Sequence, residues 1–203
     1  MSSSIKLKNS SGKIVTITNP DTTSADVAVD LLNNAYTIAT VDDFGTVPVG
    51  YTTVIVKDTD RGGVFNRIAS TTANGGTIFD GTTGYSWEGQ YSGAVNVKWF
   101  GAKGDEINDD TNSIKMCISV VAKNNGGSVF VPFGTYKTTE TIYLKGISSI
   151  IGEGAIRING TQFSSGASSF KAYHTGSAVI SLKGASGIKL QGIAIEADLN
   201  NSP

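Results

Sequence analysis

With 203 residues, 16% of them charged and 39% hydrophobic, the chain has enough material for one or two domains and a sizeable core. A net charge of −1, with Lys and Arg scattered along the chain, excludes the electrostatic footprint of a nucleic-acid or anionic-membrane binder. The 25 glycines, with abundant Ser, Thr and Asn, favour many short strands and turns over long helices.

Residues 1–40 open with two short alternating runs, Ile5 and Leu7, then Ile14, Val15 and Ile17, around a polar Asn9–Gly12 turn. This spacing predicts a β-hairpin. Ser24–Asn34 fits either one or two helical turns or a strand. Residues 41–95 read as a small β-rich module. Its strands are Tyr51–Lys57, Val64–Ile68 and Thr77–Phe79, with turns at Asp58–Gly63 and Asn74–Gly76. The apolar residues of 1–94 are spread over short runs, which predicts that they cannot enclose a core singly and need partner chains.

From residue 96 the pattern changes. Val95, Val97 and Trp99 alternate into Phe100 and a Gly101–Gly104 turn, followed by Asp105, Asn108, Asp109 and Asp110. Ile114, Cys117, Ile118 and Val121 then fall on one helical face, with Asp109 or Asp110 as N-cap and Asn124–Gly127 as terminator. Short apolar runs bounded by Gly, Ser or Asn follow: Val129–Val131, Thr141–Leu144, Ser149–Gly152, Ala178–Leu182, Ile188–Leu190 and Ile193–Ile195. Their rhythm fits parallel coils of ~20–25 residues.

The ordered set of Val64-Phe65, Asn74–Thr77, Trp87, Tyr91–Val97 and Lys98–Asp105 resembles bacteriophage tailspike and tail-fibre proteins, where a small module precedes a right-handed parallel β-helix of the pectate-lyase-like superfamily. One departure is Glu106, where that family commonly has glycine. The resemblance implies a mainly β, trimeric protein. Residues 1–40 would anchor it to the virion, 41–95 would connect, and 96–203 would supply the capping helix and first coils. It implies docking through Ile5, Leu7, Ile14, Val15 and Ile17 to a tail tube, adaptor or neighbouring virion protein. Trp99, Phe100, Gly101, Gly104, Asp105, Asp109 and Asp110 would build the junction, with Trp99 largely buried. A host surface glycan would be met through further C-terminal coils. The protein would be synthesised in the host cytoplasm and reside in the virion tail. The alternatives are a polysaccharide depolymerase whose catalytic coils lie beyond this chain, and a bacterial carbohydrate-binding surface β-helix.

Residue chemistry points the same way. Cys117 is the only cysteine and His174 the only histidine, so neither a disulfide nor a His/Cys metal site can be built within the chain. His174 reads as a surface residue and Cys117 as a core residue. No apolar run at the N-terminus reads as a signal peptide, and none is long enough to span a membrane. The Asp105–Asp110 cluster has the oxygen density of a calcium loop but no interior glycine and no following Glu at loop spacing, so it reads as a polar turn and cap. Glu140, Glu153, Glu196 and Asp198 are the carboxylates available for glycan hydrolysis, and Tyr143, Phe163, Phe170 and Tyr173 the rings available for stacking on sugars. Glu196 and Asp198, at i and i+2, share one side of a strand near a potential groove but read as solvated surface, and no spacing gathers the rings on one face, so no catalytic residue, metal or cofactor is assigned. The Asp58–Gly63 turn lacks the ending and the helix of a phosphate loop.

Overall fold

The computed structural model describes residues 5–8, 14–17, 35–82, 84–154, 157–158, 162–163, 167–175 and 177–197. It divides into two compact units, Met1–Thr72 with Phe79–Gln90, and Ala73–Ile78 with Tyr91–Pro203.

In the first unit, β1 (Ile5–Lys8) and β2 (Ile14–Ile17) form the expected antiparallel hairpin, Ile5 opposite Ile17 and Leu7 opposite Val15. The Ser24–Asn34 reading lies outside the described residues. Five further strands make one sheet: β3 (Ala35–Ile38), β4 (Thr53–Val56), β5 (Gly63–Ala69), β6 (Ile78–Asp80) and β7 (Tyr85–Gly89), in the order β3-β4-β5-β7-β6. The β3 strand begins before residue 41 and pairs parallel with β4. The connection between them holds a 3-10 turn, Val41–Thr46. The Asp43 carboxylate accepts from both the backbone N–H and the hydroxyl of Thr40, at 2.9 and 3.0 Å. That turn delivers Phe44 onto the sheet, where it meets Phe65, Phe79 and Trp87 at ring-centroid distances of 5.0, 5.1 and 6.0 Å. With Ile38, Val54 and Val56 these rings form a buried core. The expectation that residues 1–94 cannot enclose a core is therefore corrected: aromatic side chains bury enough area for a small sheet to do so.

The second unit is a stack of parallel coils. Its strands are β8 (Val95–Asn96), β9 (Asp105–Asp109), β10 (Ser128–Val131), β11 (Gly134–Thr138), β12 (Ile142–Tyr143), β13 (Ser149–Gly152), β14 (Arg157–Ile158), β15 (Gln162–Phe163), β16 (Ser168–Ala172), β17 (Ile180–Ser181), β18 (Lys189–Gln191) and β19 (Ile193–Ala197). Two four-stranded parallel sheets result, β8-β10-β13-β18 and β9-β11-β16-β19, together with the parallel pair β12-β17. β14 and β15 form a small antiparallel excursion. Register stacks like on like: Val95, Val129 and Ile150 in one sheet, Tyr136 and Phe170 in the next, Ile142 and Ile180 in the third. Such ladders close a parallel β-helix because each coil buries its apolar residues only against its neighbours.

Helix α1 (Thr111–Lys123) joins this core through Ile114, Cys117, Ile118 and Val121, all buried, on the face that the sequence spacing predicts. Burial contributes roughly 1.5–3 kcal/mol for each of the two Ile and the Val. The Cys117 thiol points to the Val95 carbonyl at 3.5 Å.

Candidate functional site

The approach to the stack departs from simple alternation. After β8 the chain forms a 3-10 turn, Val97–Phe100, capped by Asn96, whose side-chain oxygen accepts from Lys98 N–H at 2.9 Å. Residues three apart share a side of such a turn, so Val97 and Phe100 are both buried. Trp99 is half-buried against Tyr91, with centroids 5.2 Å apart. The expectation of a largely buried Trp99 thus passes to Phe100. Gly101, at φ 93, ends the turn. At Gly104, with φ 65, a Cβ would lie 2.8 Å from the Tyr136 ring, so glycine is required twice over.

The acidic cluster separates into three different tasks. Asp105 accepts from the Ile107 and Asn108 N–H groups at 3.0 and 2.9 Å and from the Asn108 amide at 2.7 Å. These bonds, the Asn108 backbone first, hold its carboxyl below the usual range. Asp109 accepts from Thr111 N–H at 3.0 Å and from the Thr111 and Thr139 hydroxyls at 2.5 and 2.7 Å. Its pKa is lowered: burial opposes ionisation, but those bonds outweigh it. Asp110 stands at the N-cap position, yet its side chain makes no capping bond. It is buried and reaches back to accept from Lys103 and Gly104 N–H at 2.7 and 3.0 Å. Burial raises its pKa; those two donors oppose the shift, and Asp105 and Asp109 reinforce it. Asp105–Asp109 is not the expected free turn but a strand paired with β11, with a register shift between Thr135 and Lys137. Among the described residues no three His, Cys, Asp or Glu converge on a metal ion.

Glu106 sits at φ 64, a left-handed backbone that explains glycine at this place in the resembling family. Its carboxylate pairs with the Lys171 ammonium and accepts from the Tyr173 hydroxyl at 3.0 Å. Lys137 and Lys171 lie over the Tyr173 ring, 4.9 and 5.4 Å from its centroid. The two lysines are register partners on adjacent coils, and Glu196 follows Lys171 in the next coil. They alternate with buried Tyr136 and Phe170, so they face outward. The Lys171 hydrogen bond, then that of Tyr173, lowers the Glu106 pKa. The Glu106 bond raises that of Lys171, and burial followed by the Glu106 bond raises that of Tyr173. All three shifts move away from neutrality, so none of these groups is poised as a general acid or base.

The remaining candidates are dispersed. Glu140 pairs with Lys115 at 2.5 Å, and Glu153 accepts from Phe133 N–H at 2.6 Å. Phe170 is core, Tyr143 is exposed, and His174 Nδ1 lies 3.1 Å from the Ser177 hydroxyl. Asp198 and the Phe163 side chain lie outside the described residues. Sequence reasoning flagged Glu106 but missed Lys137 and Lys171, because register, not spacing, joins them.

Residues 94–193 match the family model described as rhamnogalacturonase A/epimerase, pectate lyase-like. This part of the chain is similar to pectate-lyase-like domains. Its parallel β-helix is also the fold of phage tailspikes. The enzymatically active domain of bacteriophage CBA120 tailspike protein 2 is 20% identical, with a TM-score of 0.60 over 86% of this chain and 28% of that one. The tailspike protein of Acinetobacter baumannii phage AM24 is 18% identical, with 0.61 over 95% and 32%. WceF of Pantoea stewartii, described as a glycan biofilm modifying enzyme with a tailspike-like parallel β-helix, is 17% identical, with 0.61 over 98% and 29%. The chain spans under a third of the length of these structures and a tenth or less of the curated relatives that match it over short segments.

Proposed function

We propose that this chain is a tailspike or tail-fibre component of a phage virion, attaching a receptor-binding shaft to the tail and supporting host recognition. The observation that carries this reading is that the fold likeness to the AM24 tailspike extends over 95% of the chain, far more than the pectate-lyase-like match alone. In this reading residues 1–40 dock through the β1–β2 hairpin to a tail tube, adaptor or neighbouring virion protein. Such strands bind by adding to a partner sheet, where main-chain hydrogen bonds supply affinity. Three copies in a homotrimer would add avidity. The outward Lys137, Lys171 and Tyr173 cluster suits contact with a host surface glycan. The engagement of Glu140 by Lys115 and the register of Glu196 with Lys171 favour attachment over cleavage by this segment, since glycan hydrolysis needs a carboxylate pair across a groove.

The test is deletion of residues 1–35 followed by assembly of particles. Loss of the protein from virions is expected, while light scattering of the full chain gives three times its 21.1 kDa mass. Normal incorporation of the truncated chain overturns the docking assignment, and a monomer at micromolar concentration overturns the trimer.

A further inference from the structure

A second polar feature lies wholly within the first unit. A groove of about 620 Å³ is lined by Val49, Arg67, Ala69, Thr82 and Tyr85, among others. Its size suits a small ligand, within the roughly 300–1,000 Å³ typical of such clefts. The Arg67 guanidinium lies over the Tyr85 ring, 5.1 Å from its centroid. The Tyr85 and Thr82 hydroxyls are hydrogen-bonded at 2.6 Å. Among the described residues no carboxylate pairs with Arg67 and none lines the groove. Strand alternation explains this. Arg67 stands opposite Trp87 and shares a sheet face with Tyr85, while Glu88 stands opposite Asn66 on the other face. The guanidinium thus lies over an aromatic ring with no carboxylate partner among the described residues, and its planar fork of donors is suited to receive a carboxylate in a bidentate contact.

Three properties narrow the ligand. A single cation matches a monoanion better than a phosphate, which usually gathers several cations or backbone N–H groups. Both strands beneath the groove, β5 and β7, are interior in the sheet, so neither offers a free edge for an extended peptide. The two hydroxyls beside the Arg can exchange hydrogen bonds with alcohol groups, while Val49 and Ala69 offer apolar contact to C–H faces. We infer that this groove binds a carboxylate-bearing sugar residue of the hexuronate class, with Arg67 on the carboxylate and the Tyr85 and Thr82 hydroxyls on the ring alcohols. This site is independent of the hairpin docking proposed above, and its failure leaves that reading intact.

The probe is sodium glucuronate, titrated calorimetrically into the full chain, with glucose, acetate and inorganic phosphate as comparators. Saturable binding of glucuronate is expected, with each comparator weaker by about tenfold or more. R67A should weaken glucuronate by about tenfold or more and R67K by less, since lysine keeps the charge but loses the fork. Y85F keeps the ring under the guanidinium and removes one hydroxyl, so a loss of several-fold is expected. The near-ultraviolet signal of the buried Trp87 reports that each variant retains its fold. Undiminished affinity in folded R67A, phosphate binding as tightly as glucuronate, or no saturation up to about 10 mM would each overturn the assignment.

Discussion

Replacing Glu106 by glycine and by alanine separates two opposing effects at one position. The left-handed backbone at φ 64 costs a non-glycine residue about 1–2 kcal/mol. Against this stand the Lys171 ion pair and the Tyr173 hydrogen bond. The Glu106 and Lys171 side chains are 44% and 25% exposed, so solvent screens the pair to about 0.2–1 kcal/mol. The hydroxyl bond adds about 0.5–1.5 kcal/mol. Glu106→Gly loses both contacts and relieves the strain, but it also frees the unfolded chain by about 0.5–1 kcal/mol. The net change is expected to lie within about 1 kcal/mol of the parent. Glu106→Ala loses the contacts and keeps the strain, for a loss of about 1–2 kcal/mol. Urea unfolding followed by circular dichroism ranks the three chains. Acid sharpens the comparison. The folded pKa of Glu106 is lowered, so its contribution is complete above the ordinary carboxylate value and is lost as pH falls through the folded value. The parent should therefore lose stability relative to Glu106→Gly on acidification, and Glu106→Ala should trail the glycine variant throughout. An alanine variant as stable as the glycine variant at neutral pH would refute the strain argument.

Two further predictions concern the core of the coil stack. Phe100→Ala should cost about 3–5 kcal/mol as a buried aromatic, and Trp99→Ala no more than about half of that, because Trp99 keeps a solvent-facing side; denaturant midpoints that reverse this order would contradict the 3-10 turn. Cys117 is buried and its thiol pushed up to about 12, so a thiol reagent at neutral pH should label it in denaturant but not in the native protein. Rapid native labelling, read by mass, would show that α1 does not seal the stack.

The parts of this fold that were legible in the sequence are those with a local period. The α1 face follows from four apolar residues at helical spacing, and the coil strands from β-branched runs between glycines. Trp99 was misread because alternation over Val95, Val97 and Trp99 looks like a strand, whereas a 3-10 turn after Asn96 turns Phe100 inward instead. The β3 strand was hidden because its partner, Thr53–Val56, lies across a turn whose aromatic anchor, Phe44, has no periodic neighbours. Asp110 looked like an N-cap, but its acceptors face Lys103 and Gly104, a choice that only the closed Gly101–Gly104 turn makes available. The outward cluster joins residues 65 and 67 positions apart, Glu106 with Lys171 and Tyr173, through strand register that no single window of sequence contains.

The same register explains why chemistry is placed on the outside of the stack. Inward positions must repeat, because Tyr136 has to lie beside Phe170 and Val129 beside Ile150 for each coil to bury its neighbour. Outward positions carry no such demand, yet they are held at strand spacing by the same ladder, so neighbours interact strongly. Lys137 directly beside Lys171 is a like-charge pair, which in a sheet is destabilising. Here it is offset on every side. Asp109 is the register partner of Lys137, Glu196 of Lys171, Glu106 pairs with Lys171, and the face of Tyr173 receives both ammonium groups. Removing any one compensating group should leave the lysines repelling each other without unstacking the coil, since the core contacts beneath do not pass through them. That separation, a repeated interior that fixes positions and an exterior free to vary in charge, leaves the polar surface of the stack independent of the packing of its core.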